Sequence, residues 1–189
     1  MNFIEYLSEH IKNPYLLISL VSLLPFSEIK GGILLGLSLK LNPLYTYGIC
    51  FLSSSIPIPI IILTIKGIVD RLKKSKIKKI AISFEKGILA KFSYMGSTKH
   101  IFWKLLCFVG VPIPLTGAYS GSCLSALLEL PVSKGFFSVI LGNAISGLII
   151  LAIGVAFQEQ ADKILLGFLS LIPVIGIISL IKRKKSSRA

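Results

Sequence analysis

The sequence predicts an all-α integral membrane protein, built as an inverted repeat of a re-entrant helical hairpin plus a transmembrane helix, with one extra C-terminal transmembrane helix. Three observations predict this fold class. Hydrophobic residues make up 53% of the 189 residues, and the mean hydropathy is +0.82, which leaves too little polar surface for a soluble domain. Apolar stretches long enough to cross a hydrocarbon core recur along the chain. Two apolar segments are broken by proline and glycine, and each precedes an uninterrupted one.

The chain divides into six segments that form one transmembrane domain, residues 1–189. In chain order they are a re-entrant hairpin (14–39), a transmembrane helix (43–65), a basic amphipathic loop (66–104), a second re-entrant hairpin (105–128) and transmembrane helices at 135–157 and 164–181. The apolar pieces on either side of the first break are each too short to span, because a span needs about 20 residues.

Basic residues determine the predicted orientation. The loop 66–104 is rich in lysine, and the chain ends in KRKKSSRA, so the positive-inside rule places both in the cytoplasm. Because two spans separate 105–128 from the tail, this segment must begin and end on the cytoplasmic side. On the other side of the loop, the span 43–65 must run from outside to inside. If the N-terminus is external, segment 14–39 therefore begins and ends outside. If the N-terminus is cytoplasmic instead, 14–39 crosses once as a kinked helix, and this alternative stays open.

The basic loop also has an amphipathic pattern. Apolar residues recur at spacings of three and four between lysines from Ile65 to Ile88, which is typical of a helix lying on the inner leaflet. A helix that binds a partner protein is the alternative. Most of the basic residues behind the net charge of +13 lie in two blocks between or after apolar segments, which favours anionic lipid headgroups over nucleic acid as their partner.

Both broken segments carry residues that interrupt helices. Proline lacks a backbone donor, and glycine permits turns that other residues resist. Unwound backbone at membrane depth persists only where it is buried in protein or faces a water-filled cavity, so we predict a polar site near the midplane. The predicted break residues are Pro25, Gly31 and Gly32 in the first segment and Pro112, Pro114, Gly117 and Gly121 in the second. Ordinary proline kinks are the alternative.

Polar side chains at and near the breaks are the candidate substrate- or ion-binding residues. Glu28 and Lys30 are the charges of the first segment, and each costs about 2.5–3.5 kcal/mol at the centre of a membrane helix. Residues two apart do not face each other on a regular helix, so a direct pair requires unwound backbone; the alternative places both at the membrane interface. The other candidates are Ser27, Thr116, Tyr119, Ser120 and Asn143, and Asn143 is equally suited to bond a neighbouring helix.

These motifs resemble the small multi-drug export protein family, which looks distantly related to the DedA/VTT superfamily. PFSEIKGGILLG (25–36) is similar to P-x-S-E-[LI]-R-G-x-x-P-L-G, VPIPLTGAYSGS (111–122) to I-P-L-P-G-T-G-A-[YW]-[ST]-G, and LGNAISGLI (141–149) to L-G-N-x-x-A-G. The departures are Lys30 for arginine, Leu35 for proline, Leu115 for glycine and Ser53-Ser54 for Gly-Asn. Lysine keeps the positive charge of arginine but loses its bidentate contact.

The resemblance implies two facing re-entrant hairpins and transport. We expect a membrane transporter, coupled to protons or sodium, that exports a small lipophilic or amphiphilic solute, with Glu28 as the coupling carboxylate. The alternatives are a lipid translocase or scramblase, and a non-transporting membrane scaffold.

Other function classes fit the sequence poorly. It has no nucleophile–base pair, no metal-ligand spacing and no phosphate-binding glycine loop, so we expect no enzyme activity, no bound metal and no cofactor beyond a coupling H+ or Na+. The expected location is the cell membrane. The expected partners are the lipid bilayer, anionic headgroups and a small-molecule or lipid substrate. A homo-oligomer is compatible with the sequence. Nucleic acid is not expected as a partner.

Overall fold

The computed structural model describes residues 11–74, 100–113, 116–157 and 167. In this part of the chain all regular structure is helical and no strand occurs, which confirms the all-α prediction there. The helices are α1 (Pro14–Ser22), α2 (Glu28–Ser38), α3 (Pro43–Ser55), α4 (Pro57–Lys74), α5 (Ile101–Gly110), α6 (Ala118–Leu127) and α7 (Val132–Ala156). Outside the described residues lie most of the predicted amphipathic loop (75–99), Pro114, and the predicted span 164–181 apart from Gly167.

Two helices begin at the same local signal, an Asn-Pro pair. The side-chain oxygen of Asn13 accepts hydrogen bonds from two N–H groups at the start of α1, at 3.0 and 3.4 Å. Asn42 does the same at the start of α3, at 3.0 and 3.3 Å. Asparagine is a favoured N-cap, and proline fits the first helical position because an N–H there would have no partner within the helix.

Within the described residues, two helical stretches are long and apolar enough to cross a membrane, Pro43–Lys73 and Val132–Ala156. The first contains the predicted span 43–65, and the second contains all of the predicted span 135–157 except residue 157. Their outward faces are apolar: Leu44 is 74% exposed, Leu52 66%, Ile60 60%, Phe137 56% and Leu148 52%. Side chains of this kind, exposed along whole helices, suit contact with lipid tails.

The first of these stretches is interrupted near its middle. It consists of α3 and α4, which are separated by the non-helical residue Ile56. Pro57 and Pro59 account for the interruption, because neither has an N–H to donate to the carbonyl four residues earlier. Beyond the predicted end at residue 65, α4 continues to Lys74. Residues 66–74, predicted as the start of the loop, therefore extend the helix.

The chain forms two compact units, and each broken segment belongs to one of them. Unit 1 comprises Met1–Ser53 and Gly147–Ala189, and unit 2 comprises Ser54–Ser146. The divisions fall inside α3 and α7, so each unit contains one broken segment together with part of each long helical stretch.

Each unit has its own apolar core. In unit 1, α1 packs against α2, and the buried residues are Leu17, Ile18, Val21, Ile29, Ile33, Leu34, Leu35, Leu37, Cys50 and Ile150. In unit 2, α6 packs against α4 and α5, and the buried residues are Ile58, Ile62, Leu105, Val109, Ala118 and Val139. The two broken segments are thus each a pair of short helices in contact.

Close contacts recur within the two units at positions 89 residues apart. In unit 1, a Cβ atom on Gly32 would collide with Cys50. In unit 2, a Cβ atom on Gly121 would press against Val139. Both members of the second contact follow those of the first by 89 residues, the separation that also relates Ser54 to Asn143.

In a second recurring contact, the glycine and the larger residue change places between the two units. In unit 1, Gly36 on α2 lies against the side chain of Thr46 on α3. In unit 2, the equivalent α6 residue is Ser125, which lies against Gly135 on α7. In both units a glycine faces a small hydroxyl side chain, which allows the two helices to approach closely.

The second helix of each broken segment ends in the same motif. Lys40 after α2 and Glu129 after α6 have positive φ angles of 56° and 52°. In both places, two successive N–H groups bond back to the last turn: those of Lys40 and Leu41 reach Leu37 and Gly36, and those of Glu129 and Leu130 reach Ala126 and Ser125. These are Schellman C-caps, and they turn the chain into the next long helix.

Candidate functional site

The first break occupies residues 23–27, between α1 and α2. Pro25 lies in the break, and it has no N–H to continue a helix. The N–H groups of Ser27 and Glu28 both donate to the Leu24 carbonyl, at 3.1 and 2.9 Å. Glu28 then opens α2 with a φ of 50°, which is uncommon for a residue other than glycine. The break therefore ends on a carboxylate in an unusual backbone conformation.

Glu28 and Lys30 form a buried ion pair at this break. The distance from Lys30 Nζ to Glu28 Oε2 is 3.6 Å, and the two residues are only 1% and 4% exposed. On a regular helix, the side chains of residues two positions apart point in different directions and do not meet. Because the backbone of Glu28 departs from helical geometry, its carboxylate can reach the ammonium group.

A hydroxyl group completes the polar cluster of the first break, which consists of Ser27, Glu28 and Lys30. Ser27 is buried, and its Oγ has no hydrogen-bond partner. It lies over Gly31, where a Cβ atom would collide with it. The cluster thus holds a carboxylate, an ammonium group and an uncommitted hydroxyl side by side, and these groups can take up a proton or hold a polar group of a solute.

The second break separates α5 from α6, and its described residues are 111–113, which include Pro112, and 116–117. Here the candidate hydroxyls are engaged by the backbone. Thr116 Oγ1 donates toward the carbonyls of Val111 and Ile113, each at 3.0 Å. Ser120 Oγ accepts from the N–H of Gly117 at 3.0 Å. Tyr119 is half-buried in the first turn of α6. The second break carries no charge among its described residues, and its hydroxyls stabilise the turn.

Three glycines predicted as break residues lie inside helices, which corrects the prediction. Gly31 and Gly32 belong to α2, and Gly121 belongs to α6. Each faces a neighbouring side chain so closely that a Cβ atom would clash. Their lack of a side chain serves close packing, whereas Gly117 does lie at the end of a break.

Asn143 lies in the middle of α7 and bonds the end of α3. Its Nδ2 donates to Ser54 Oγ at 2.8 Å, and both residues are buried. This is the helix-to-helix bond that the sequence allowed as one role of Asn143. The oxygen Oδ1 of the same amide has no partner.

Sequence reasoning missed the polar residues around this bond. Ser55 Oγ and Ser146 Oγ are also buried without a partner. The signal that could have found them is the separation of 89 residues between Ser54 and Asn143, which also relates Gly32 to Gly121. Among the described residues, no group of three or more His, Cys, Asp or Glu side chains could hold a metal ion.

These features define a helical membrane protein with two broken helix pairs, one of which carries a buried charge pair. The chain belongs to the family described as "Putative small multi-drug export protein", which matches residues 28–149. The resemblance stated from the motifs is thereby confirmed, and the family's description is that of a transporter. No curated protein and no solved structure matches the chain.

Proposed function

We propose that this protein is a secondary transporter of the cell membrane that exports a small lipophilic or amphiphilic solute, coupled to protons or sodium. Glu28 is the coupling carboxylate in this scheme. The observation that carries the proposal is the buried Glu28–Lys30 pair at a helix break, with Nζ and Oε2 3.6 Å apart. Charged residues in membrane segments are rare and usually mark ion or substrate pathways.

The pair suggests how coupling works. While Glu28 is ionised, it neutralises Lys30, and the buried site has no net charge. When a proton or sodium ion neutralises Glu28, the carboxylate can no longer hold a cationic group of the solute, so uptake of the coupling ion is linked to release of the solute. Ser27, whose hydroxyl is uncommitted, supplies a further polar contact.

A re-entrant second hairpin is supported by contacts at the end of α4. The Nζ groups of Lys66 and Lys73 bond to the Leu130 carbonyl and the Glu129 carboxylate, respectively. These lysines begin the basic stretch that the positive-inside rule assigns to the cytoplasm. The end of the second broken segment would then lie on the same side as its start, as a re-entrant hairpin requires.

The inverted repeat is supported by the recurring contacts of the two units. Gly32 with Cys50 and Gly121 with Val139 are related by 89 residues, and both broken segments end in a Schellman cap. Two such halves inserted from opposite faces would let one site open alternately to each side. We further propose contact with anionic headgroups, no enzyme activity and no nucleic-acid partner.

Transport itself is tested in proteoliposomes with ethidium, a lipophilic cation, as the probe solute. With an imposed proton or sodium gradient, we expect the unaltered protein to move ethidium and Glu28→Gln to abolish the gradient-driven movement. Glu129→Gln is the matched control, since it removes a carboxylate that is 56% exposed, and we expect it to retain activity. Undiminished ethidium movement by Glu28→Gln would remove Glu28 from the coupling role.

The lipid translocase alternative has a separate measurement in the same vesicles. A fluorescent phospholipid that changes leaflet without any ion gradient, with no ethidium movement, would favour the translocase. If neither probe moves in the unaltered protein, the non-transporting scaffold is the better description.

The topology is tested by cysteine labelling in cells, with Cys50, Cys107 and Cys123 replaced by serine. We expect Lys73→Cys and Glu129→Cys to react only with reagent on the cytoplasmic side, and Lys40→Cys only with external reagent. Lys40 and Glu129 are the matched pair, because both follow the second helix of a broken segment with positive φ. Labelling of Glu129→Cys only from outside would exclude the re-entrant second hairpin.

A further inference from the structure

Three buried oxygen atoms of unit 2 lack hydrogen-bond partners and belong to residues around one hydrogen bond. They are Ser55 Oγ, Asn143 Oδ1 and Ser146 Oγ. The bond joins Asn143 Nδ2 to Ser54 Oγ at 2.8 Å. Asn143 is 1% exposed and Ser146 0%. Uncompensated buried polar atoms cost free energy, and a hydrocarbon surrounding offers them no water.

Helix geometry brings two of these oxygen atoms to one side of α7, because Asn143 and Ser146 are three residues apart and share a face of the helix. Ser55 directly follows Ser54, the residue that Asn143 bonds, and it is the last residue of α3. Because Nδ2 of Asn143 is committed to Ser54, the amide presents its oxygen as an acceptor.

The end of α3 adds negative partial charge to the same region. α3 ends at Ser55, and the C-terminal end of a helix carries a partial negative charge from its last carbonyl groups. Pro59 has no N–H to donate to the Ser55 carbonyl. The region therefore offers amide, hydroxyl and carbonyl oxygens, which are the ligands that hard cations prefer.

The charge of these ligands selects the cation. Divalent cations are normally held by carboxylates, and the four residues are neutral. Amide and hydroxyl groups also do not take up a proton at physiological pH. In transporters, sodium is coordinated by carbonyl oxygens at interrupted helices. We propose that Ser55, Asn143 and Ser146 form a binding site for a sodium ion, oriented by the Asn143–Ser54 hydrogen bond.

This inference goes beyond the proposed function by assigning a sodium ion to residues other than Glu28, and it rests on that function only for the coupling of this ion to transport. Binding is measured on its own, with radioactive sodium and the purified full-length protein in detergent, with choline as the balancing cation. We expect saturable binding that excess unlabelled sodium displaces and potassium displaces less well. Asn143→Ala and Ser146→Ala should each weaken sodium binding at least about tenfold, in line with the sensitivity of ion sites to their ligands and orienting groups.

Ser125→Ala is the matched control, because it also removes a buried hydroxyl without a partner but lies on α6 against Gly135. It should bind sodium like the unaltered protein. Asn143→Asp keeps the shape of the side chain and adds a carboxylate, so it should bind sodium more tightly and in a pH-dependent way, which covers the case in which Asn143→Ala fails to fold.

The proposal is overturned if the unaltered protein binds no sodium, if potassium displaces sodium equally well, or if Asn143→Ala and Ser146→Ala bind with unchanged affinity. Glu28→Gln separates this inference from the proposed function. It should lose transport and keep sodium binding, because Glu28 is not one of the proposed sodium ligands. Failure of sodium binding with intact proton-driven ethidium movement would reject this site alone.

Discussion

Replacing Glu28 with alanine is expected to lower the free energy of unfolding by about 3–5 kcal/mol, because it leaves Lys30 buried without its carboxylate. The ammonium group is almost completely shielded, with Lys30 1% exposed, and the carboxylate lies 3.6 Å away. Reversible unfolding of the detergent-solubilised protein with a denaturing detergent measures the change.

The double variant Glu28→Leu with Lys30→Met is the control for this result. Replacing both members of a buried ion pair with apolar residues of similar volume is often neutral or stabilising, so the double variant should recover most of the lost stability. It should not recover transport, because both charged groups are absent. A single Glu28→Ala variant as stable as the unaltered protein would contradict burial of the pair.

Alanine at Gly142 is expected to destabilise the protein, whereas alanine at Gly48 is expected to stabilise it. A Cβ atom at Gly142 would lie 2.7 Å from Val109 Cβ and 2.8 Å from the Leu106 carbonyl oxygen, and such overpacking costs about 1–3 kcal/mol. Gly48 has nothing within 4 Å of the same position, so alanine there gains about 0.5–1 kcal/mol from helix propensity.

The two glycine variants are compared in the same unfolding assay. Both glycines lie within apolar helical stretches that are candidates to cross the membrane, so the substitutions are chemically matched and differ only in surroundings. If both variants shift stability in the same direction, the close approach of α5 to α7 at Gly142 is not present.

Much of the architecture could be predicted from local features of the sequence. The spans near 43–65 and 135–157, the positions of the two breaks at Pro25 and Pro112, and the family all follow from residue type and order. Apolar stretches must cross lipid, and proline must interrupt a helix, whatever the tertiary structure. These features depend on local chemistry, so the sequence is enough to predict them.

The candidate sites could be predicted only in part. Glu28 and Lys30 stand out as charges in an apolar segment, and the sequence left open whether they pair or lie at the interface. Their pairing depends on the backbone of Glu28, whose φ is 50°. The bond between Ser54 and Asn143 joins residues 89 positions apart, so no local sequence pattern predicts it.

Residue type and order are therefore enough to identify this chain as a helical membrane protein of an export family with two broken segments. The packing of the folded chain, in contrast, places Gly31, Gly32 and Gly121 in close contacts inside helices. The physical reason is that a glycine in a sequence is compatible with both a turn and a close contact, and its neighbours in space select between them. The same holds for Asn143, where packing commits the amide nitrogen to Ser54 and leaves the amide oxygen without a hydrogen-bond partner.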